Sequence, residues 1–209
     1  MKLVKICGIN SPAAFDAATA AHADFAGFVF YPPSPRYVTP TEALILSTRS
    51  SEAFPLRVGL FVNPGFDEID AILQIISLDI LQIHADPATV AAMRDRFGRP
   101  VWRQLGVASE ADFPGVHEVA DGFVVEAKPP PGATRPGGNA VQADWELLAK
   151  FRPAKPWLLA GGLRPDNVAE ALRITGAPGA DVSSGVETAP GRKSPELIRD
   201  FVAAARVAL

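Results

Sequence analysis

The 209-residue sequence predicts an α/β fold, a single-domain (β/α)8 TIM barrel that spans residues 1–209. Short apolar segments alternate with longer amphipathic segments along the whole chain. The short segments are apolar on both faces, which is typical of parallel strands buried between two layers. Eight strand–helix units of roughly 26 residues each lie at the short end of the barrel range. An open, doubly wound sheet is the alternative arrangement.

The eight predicted strands are short, and four of them contain no charged residue. They cover residues 3–6, 25–30, 57–61, 80–83, 101–106, 122–125, 157–160 and 180–182. A helical pattern follows each of them. The predicted helices cover residues 11–21, 39–47, 66–76, 86–97, 109–119, 144–150, 164–174 and 194–209.

Four of the predicted helices begin with Ser-Pro, Thr-Pro or Asp-Pro, which pairs a capping side chain with the residue best tolerated at the first helical position. The helix over 109–119 has weak periodicity and contains Pro114 and Gly115. A long segment rich in proline and glycine, 127–143, follows the sixth strand. A long irregular insert at this end of a barrel is typical of an active-site loop.

Charge and composition exclude several classes of protein. The 20 basic and 23 acidic residues give a net charge of −3, whereas nucleic-acid binding requires a basic face. The single cysteine excludes an intrachain disulfide framework. No apolar run reaches the roughly 20 residues of a membrane helix, and residues 1–10 do not resemble a signal peptide. We therefore expect a cytoplasmic protein that binds neither nucleic acid nor membranes.

Chemically useful side chains stand at the ends of the predicted strands. Cys7 follows the first strand, Arg36 the second, His84 the fourth and Glu126 the sixth. In a parallel barrel these residues converge on one rim, where a thiolate or a carboxyl group can transfer protons. Taken singly, each is ambiguous: Cys7 could be a buried apolar residue, Glu126 and Arg36 surface charges, and His84 a packed rim histidine. Lys5 faces the same side as Cys7 only if the first strand is regular.

Glycines end the last two strands. Gly161 and Gly162 follow strand seven, and strand eight runs from Asp181 into Ser183, Ser184 and Gly185. Glycine lets a backbone approach an anion closely, and barrels commonly bind phosphate between these two loops. The two loops together predict a phosphate site, although glycines before a helix can also be simple turns.

Seven motifs occur in an order that resembles the phosphoribosylanthranilate isomerase family from end to end. They are KICG at 5–8, GFVFYPPSPRYV at 27–38, VGLFVN at 58–63, LQIH at 81–84, PGGN at 136–139, LAGGLRPDNV at 159–168 and DVSSGVE at 181–187.

The resemblance implies a (β/α)8 barrel and an Amadori rearrangement of N-(5′-phosphoribosyl)anthranilate to 1-(2-carboxyphenylamino)-1-deoxyribulose 5-phosphate, with no metal and no organic cofactor. It implies that Cys7 is the general base and that the acid after strand six, here Glu126, opens the furanose ring. Arg36 would bind the anthranilate carboxylate. The remaining substrate contacts would come from His84, Gly161, Gly162, Asp181, Ser183, Ser184 and Gly185.

Four positions depart from the family pattern, and one of them is Asn10, which stands where threonine is common. Glu126 stands where the family has aspartate, and its additional methylene displaces the carboxyl group unless the backbone adjusts. A displacement of about 1 Å can lower a rate roughly 10²-fold. Ala85 and Ala140 replace glycines that are usual in the family, so either loop is strained if its position requires a positive φ.

Two other functions are compatible with these residues. A non-catalytic or weakly active barrel could have kept the phosphate site and lost the acid. A related aminoaldose isomerase would use two aspartates, yet no aspartate ends strand one here. The sequence leaves open whether the chain is a monomer or a homodimer.

Overall fold

The computed structural model describes residues 1–49, 55–115, 118–128 and 142–208. Within them, eight parallel strands pair in chain order and the last pairs with the first, which closes the sheet and confirms the predicted barrel. The strands are β1 (Leu3–Cys7), β2 (Phe25–Val29), β3 (Leu56–Val62), β4 (Ile80–His84), β5 (Val101–Val107), β6 (Gly122–Ala127), β7 (Trp157–Leu159) and β8 (Gly179–Val182).

Helices connect the strands on the outside of the barrel. In the described part of the chain they are α1 (Pro12–Ala20), α2 (Pro40–Ser47), α3 (Phe66–Leu73), α4 (Pro87–Phe97), α5 (Trp145–Leu148), α6 (Val168–Thr175) and α7 (Pro195–Arg206). The capping prediction is confirmed, because the side chain before each leading proline accepts a hydrogen bond from the first turn. These caps are Ser11, Thr39, Asp86 and Ser194. No helix among the described residues has the length and apolarity needed to cross a membrane.

The barrel interior is filled in layers, and the lower layer is apolar. It contains Phe25, Val58, Ile80, Trp102, Val124 and Leu158, and Ala160, two residues beyond Leu158, packs against it. Side chains two residues apart on a strand share a face, so the positions two residues beyond Ile80, Trp102 and Val124 form the next interior layer. Those positions are polar, and they lie toward the carboxyl ends of the strands.

The helix predicted over 109–119 is not formed. A 3-10 turn, Glu110–Asp112, begins there, and the chain is extended at Phe113 with ψ of 138°. Pro114 explains the early end, because proline disfavours helical backbone at the residue that precedes it.

The structure also contains a small antiparallel pair of strands that the sequence pattern did not predict. These are β9 (Glu187–Ala189) and β10 (Arg192–Lys193), which follow a 3-10 turn, Ser184–Val186. The hairpin folds back toward the end of β8 and brings Lys193 into contact with Ser183.

Candidate active site

The ten residues predicted for the site line one open cavity at the carboxyl ends of the barrel strands. Cys7, His84 and Glu126 lie within β1, β4 and β6, whereas the sequence placed them just after the predicted strands. Each observed strand is longer by one or two residues. The side chains therefore have the fixed direction of a strand residue rather than that of a loop residue.

Cys7 lies beside a buried ion pair. Lys5 precedes it by two residues on β1, so both side chains point into the barrel. The ammonium of Lys5 is fully buried and lies 2.8 Å from the Asp181 carboxylate on β8. Both side chains pack against Gly27 of the neighbouring strand β2. A Cβ added at Gly27 would lie 3.2 Å from the Cys7 Sγ and 3.2 Å from the Lys5 Cε. The thiol and the ammonium are thus close neighbours.

Opposing effects set the protonation of this cluster. Burial raises the pKa of the Cys7 thiol, and the positive charge and hydrogen bond of Lys5 oppose that rise without cancelling it. Asp181 adds to the rise, and Lys193 opposes it. Burial alone would lower the pKa of Lys5, but its contacts with Asp181 and Cys7 outweigh burial and raise it. Lys5 therefore stays positive and favours the thiolate form of Cys7.

Glu126 belongs to a row of polar side chains that crosses three strands. Its Oε1 accepts a hydrogen bond from the Gln104 amide nitrogen at 2.7 Å, and the Gln104 oxygen accepts from Gln82 at 2.5 Å. Gln82 and Glu126 are only 1% and 7% exposed. Glu126 thus lines the cavity as a buried, held carboxyl group and is not a solvated surface acid.

Arg36 also occupies a fixed position. Its Nε and Nη2 donate to the two oxygens of Glu187 at 2.7 and 2.9 Å, and Lys193 binds the same carboxylate at 2.8 Å. Burial would raise the pKa of Glu187, but the hydrogen bond from Arg36 and the charge of Lys193 outweigh burial and lower it. Arg36 and Lys193 thus share a single carboxylate, which leaves the cluster suited to an anionic ligand group, although burial lowers the pKa of Lys193.

The two glycine-bearing loops meet at the cavity as predicted. Gly161 and Gly162 have φ of 82° and 69°, a conformation that other residues rarely adopt. The loops pack so closely that a Cβ at Gly185 would lie 1.8 Å from the Leu163 carbonyl oxygen. Asn167 fixes the first loop by accepting from the Arg164 amide and donating to the Gly162 carbonyl.

His84 and Ser183 complete the rim. Burial, followed by the charge of Arg103, lowers the pKa of His84, so its imidazole is neutral near pH 7. The Ser183 hydroxyl donates to the Cys7 carbonyl at 3.1 Å, and Lys193 donates to the Ser183 carbonyl. The loop after β8 is thereby tied to the strand that carries the thiol.

Several known proteins with a similar sequence carry the same activity name. The family model described as N-(5′-phosphoribosyl)anthranilate isomerase matches residues 4–204. A protein of that name from Acidiphilium cryptum is 54% identical over 208 residues, which cover 100% of both chains. This chain belongs to the phosphoribosylanthranilate isomerase family.

Solved structures of the family have the same barrel. The isomerase from Thermotoga maritima aligns with a TM-score of 0.83 at 31% identity over 99% of both chains. A second isomerase structure holds reduced 1-(o-carboxyphenylamino)-1-deoxyribulose 5-phosphate and aligns with a TM-score of 0.78 at 30% identity over 99% of both chains. The resemblance inferred from the seven motifs is thus confirmed.

One of the departures from the family pattern is accommodated without backbone strain. Among the described residues, the non-glycine residues with positive φ are His22 and Asn63, so Ala85 does not adopt the left-handed conformation. Ala140, the motif at 136–139 and most of the loop over 127–143 lie outside the described residues.

Sequence reasoning missed several residues that line the isomerase cavity or contact the residues that line it. Gln82 could have been found, because it is a polar residue inside the apolar segment 80–83, and Gln104 could have been found from its spacing of two from Trp102 on the same strand. Lys5 could have been assigned from its spacing of two from Cys7 on a regular strand. Lys193 carried no such signal, since only the unpredicted hairpin brings it to the site.

Proposed function

We propose that this chain catalyses the isomerisation of N-(5′-phosphoribosyl)anthranilate to 1-(2-carboxyphenylamino)-1-deoxyribulose 5-phosphate, a step of tryptophan biosynthesis. The observation that carries this proposal is the convergence of a thiol, a held carboxyl group, an arginine and two glycine loops on one cavity of a family member. The reaction requires one proton donor, one proton acceptor and contacts for a carboxylate and a phosphate.

The acid step falls to Glu126. Its carboxylic acid protonates the furanose ring oxygen, and the bond between C1′ and that oxygen breaks. The lone pair of the anilino nitrogen forms the C=N bond of a Schiff base, so the electrons balance without an external reagent. A buried, directed carboxyl group is suited to this role because water cannot compete for its proton.

The base step falls to Cys7. Its thiolate removes the proton from C2′, and the electron pair moves toward the positively charged Schiff base to give an enolamine. Loss of the C2′ hydroxyl proton and protonation of C1′ then yield the ketose. The buried Lys5 ammonium supports the base, because it favours the negative charge of the thiolate.

The direct test of this function is turnover of freshly generated phosphoribosylanthranilate, followed as loss of anthranilate-type fluorescence. We expect multiple turnovers per chain. A chain that binds the product analogue yet leaves the substrate unconverted would contradict the isomerase and favour the non-catalytic binding barrel.

Lys5→Met is expected to raise the pKa of Cys7. Burial already raises it, and Lys5 opposes that effect, so removing the ammonium moves the pKa further upward. Lys193 would still favour the thiolate, while Asp181 would oppose it more strongly without its partner. Because Cys7 is the single cysteine, the pH dependence of its alkylation by iodoacetamide measures the shift. At neutral pH we expect at least roughly tenfold slower alkylation and a lower kcat.

The control for Lys5→Met removes both charges of the ion pair. Breaking a buried pair on one side costs about 3–5 kcal/mol of unfolding free energy, whereas Lys5→Met with Asp181→Asn leaves no unpaired buried charge. We expect the double variant to recover thermal stability but not the alkylation rate at neutral pH. Full recovery of that rate would show that Asp181, and not Lys5, sets the behaviour of the thiol.

Arg36 is proposed to bind the anthranilate carboxylate through Nη1, while Glu187 holds Nε and Nη2. Arg36→Ala removes a charge-assisted contact worth about 1.5–3 kcal/mol, so we expect KM to rise roughly 10- to 150-fold with kcat changed much less. Steady-state kinetics separate the two parameters. A fall in kcat at constant KM would argue against a ground-state contact with the carboxylate.

Gly161, Gly162, Ser183, Ser184 and Gly185 are proposed to bind the substrate phosphate, with backbone N–H groups of the two loops as donors. His84 and Asp181 are proposed as further cavity contacts to the substrate. The phosphorylated sugar is an intracellular type of metabolite, which supports a cytoplasmic location.

A further inference from the structure

The polar row that crosses β4, β5 and β6 has a feature that the acid–base roles do not explain. We call Gln82, Gln104 and Glu126 the amide–carboxyl chain. Each side chain stands two residues beyond a residue of the apolar layer, namely Ile80, Trp102 and Val124. Two primary amides are thus buried in a barrel interior, where each polar group costs free energy unless it is hydrogen-bonded.

The direction of the hydrogen bonds in this chain is fixed by its carboxyl end. The Glu126 Oε1 accepts at 2.7 Å, so the Gln104 side chain presents its nitrogen to β6 and its oxygen to β4. That oxygen accepts from the Gln82 nitrogen at 2.5 Å. The remaining Gln82 oxygen is buried with no hydrogen-bond partner among the described residues. Both hydrogen bonds of the amide–carboxyl chain therefore donate in the direction of Glu126, and the unsatisfied oxygen lies on Gln82, at the other end.

We propose that Gln104, held by Gln82, is a positioning residue that fixes the Glu126 carboxyl group for proton transfer. Glutamate has three side-chain torsions, and the amide restrains the last of them. Because Oε1 faces an N–H donor, the acidic proton is carried on Oε2. Gln104 thereby selects both the place of the acid and the oxygen that delivers the proton. This inference rests on the proposed function.

The contact depends on the length of the glutamate. In Glu126→Asp the carboxyl group retreats by one carbon–carbon bond, about 1.5 Å. The distance from the Gln104 nitrogen to the carboxyl oxygen is 2.7 Å in the unaltered chain. In the aspartate variant this distance exceeds the roughly 3.2 Å limit of an N–H···O contact unless the strand moves. Gln104 and the length of residue 126 are consequently expected to be coupled, and a double-mutant cycle measures that coupling.

The experiment compares Gln104→Met in the unaltered chain and in the Glu126→Asp background. Methionine keeps the volume of glutamine and removes the N–H donor. We expect Gln104→Met to lower kcat roughly tenfold with KM within about twofold, because the acid is misplaced only in the chemical step. In the Glu126→Asp background, itself slower than the unaltered chain, we expect Gln104→Met to change kcat by less than about twofold.

Two further variants test whether Gln82 acts on Glu126 through Gln104. Gln82→Met is expected to lower kcat roughly threefold when Gln104 is present and not at all in the Gln104→Met background. Gln74→Met makes the same change at an exposed position on the end of α3 and is the matched control. Circular dichroism melting confirms that each variant is folded.

The outcomes separate this inference from the proposed function. Equal losses of kcat from Gln104→Met in both backgrounds, a change in KM alone, or a Glu126→Asp variant as fast as the unaltered chain would each overturn the positioning role and leave the isomerase intact. No turnover by the unaltered chain would overturn both. A loss confined to the Glu126 background supports the positioning role.

Discussion

Cys7→Ser and Cys7→Ala are expected to lower kcat roughly 10²- to 10⁴-fold, which is the usual contribution of a general base. A serine hydroxyl is close in size to the thiol but does not ionise near neutral pH, so it leaves the C2′ proton without an acceptor. The cavity places Cys7 at the end of β1, beside the Lys5 ammonium that favours its anion. Kinetics with freshly generated substrate measure the loss.

The fold is expected to survive both changes at Cys7. The residue is buried but small, so Cys7→Ala should cost about 1 kcal/mol of unfolding free energy. Thermal melting checks this point. Alkylation of the unaltered chain provides an independent test: one equivalent of iodoacetamide per chain should abolish turnover, and the product should protect against it. Turnover within about threefold of the original in either variant would remove Cys7 as the base.

The fold was predictable because periodicity and capping are local signals. All eight strands were found, since most of them are short segments that are apolar on both faces. The prediction of a helix over 109–119 was wrong because the helix-breaking effect of Pro114 and Gly115 outweighs the weak hydrophobic periodicity of this segment. The β9–β10 hairpin follows from close packing against the cavity, which leaves little trace in the hydrophobic pattern.

The site was predictable only in part, for a physical reason. Strand ends converge in any closed parallel barrel, so nine of the ten site residues could be collected from topology, whereas Asp181 was assigned through the family resemblance. The interior partners depend on the stagger between neighbouring strands. Gln104 is in register with Val124, and its amide nevertheless reaches Glu126 two residues further on. That diagonal contact requires the actual register and twist.

Arg36 shows the same limit. Its role as a carboxylate partner followed from the resemblance, whereas its hold by Glu187 depends on the chain turning back after β8. Sequence reasoning described this part of the site with the Arg36 guanidinium alone. The structure adds the Glu187 carboxylate and the Lys193 ammonium. The predicted contact with the substrate is consequently limited to the Nη1 side of Arg36.

Glu126→Gln is expected to lower kcat roughly 10²- to 10⁴-fold with KM within about threefold. The amide keeps the size and much of the hydrogen bonding of the carboxyl group but has no acidic proton for the furanose oxygen. Glu68→Gln makes the same change on the exposed face of α3 and should leave kcat unaltered. Steady-state kinetics and thermal melting of the two variants separate chemistry from folding.

The other proton carriers of the cavity are poor substitutes for Glu126. Burial and the charge of Arg103 lower the pKa of His84, so a neutral imidazole faces the site near pH 7. Asp181 is engaged by Lys5 in a buried ion pair. If Glu126→Gln kept its kcat, His84 would be the remaining donor, and His84→Asn in that background would then abolish turnover. With Glu126 as the acid, His84→Asn alone should change KM more than kcat.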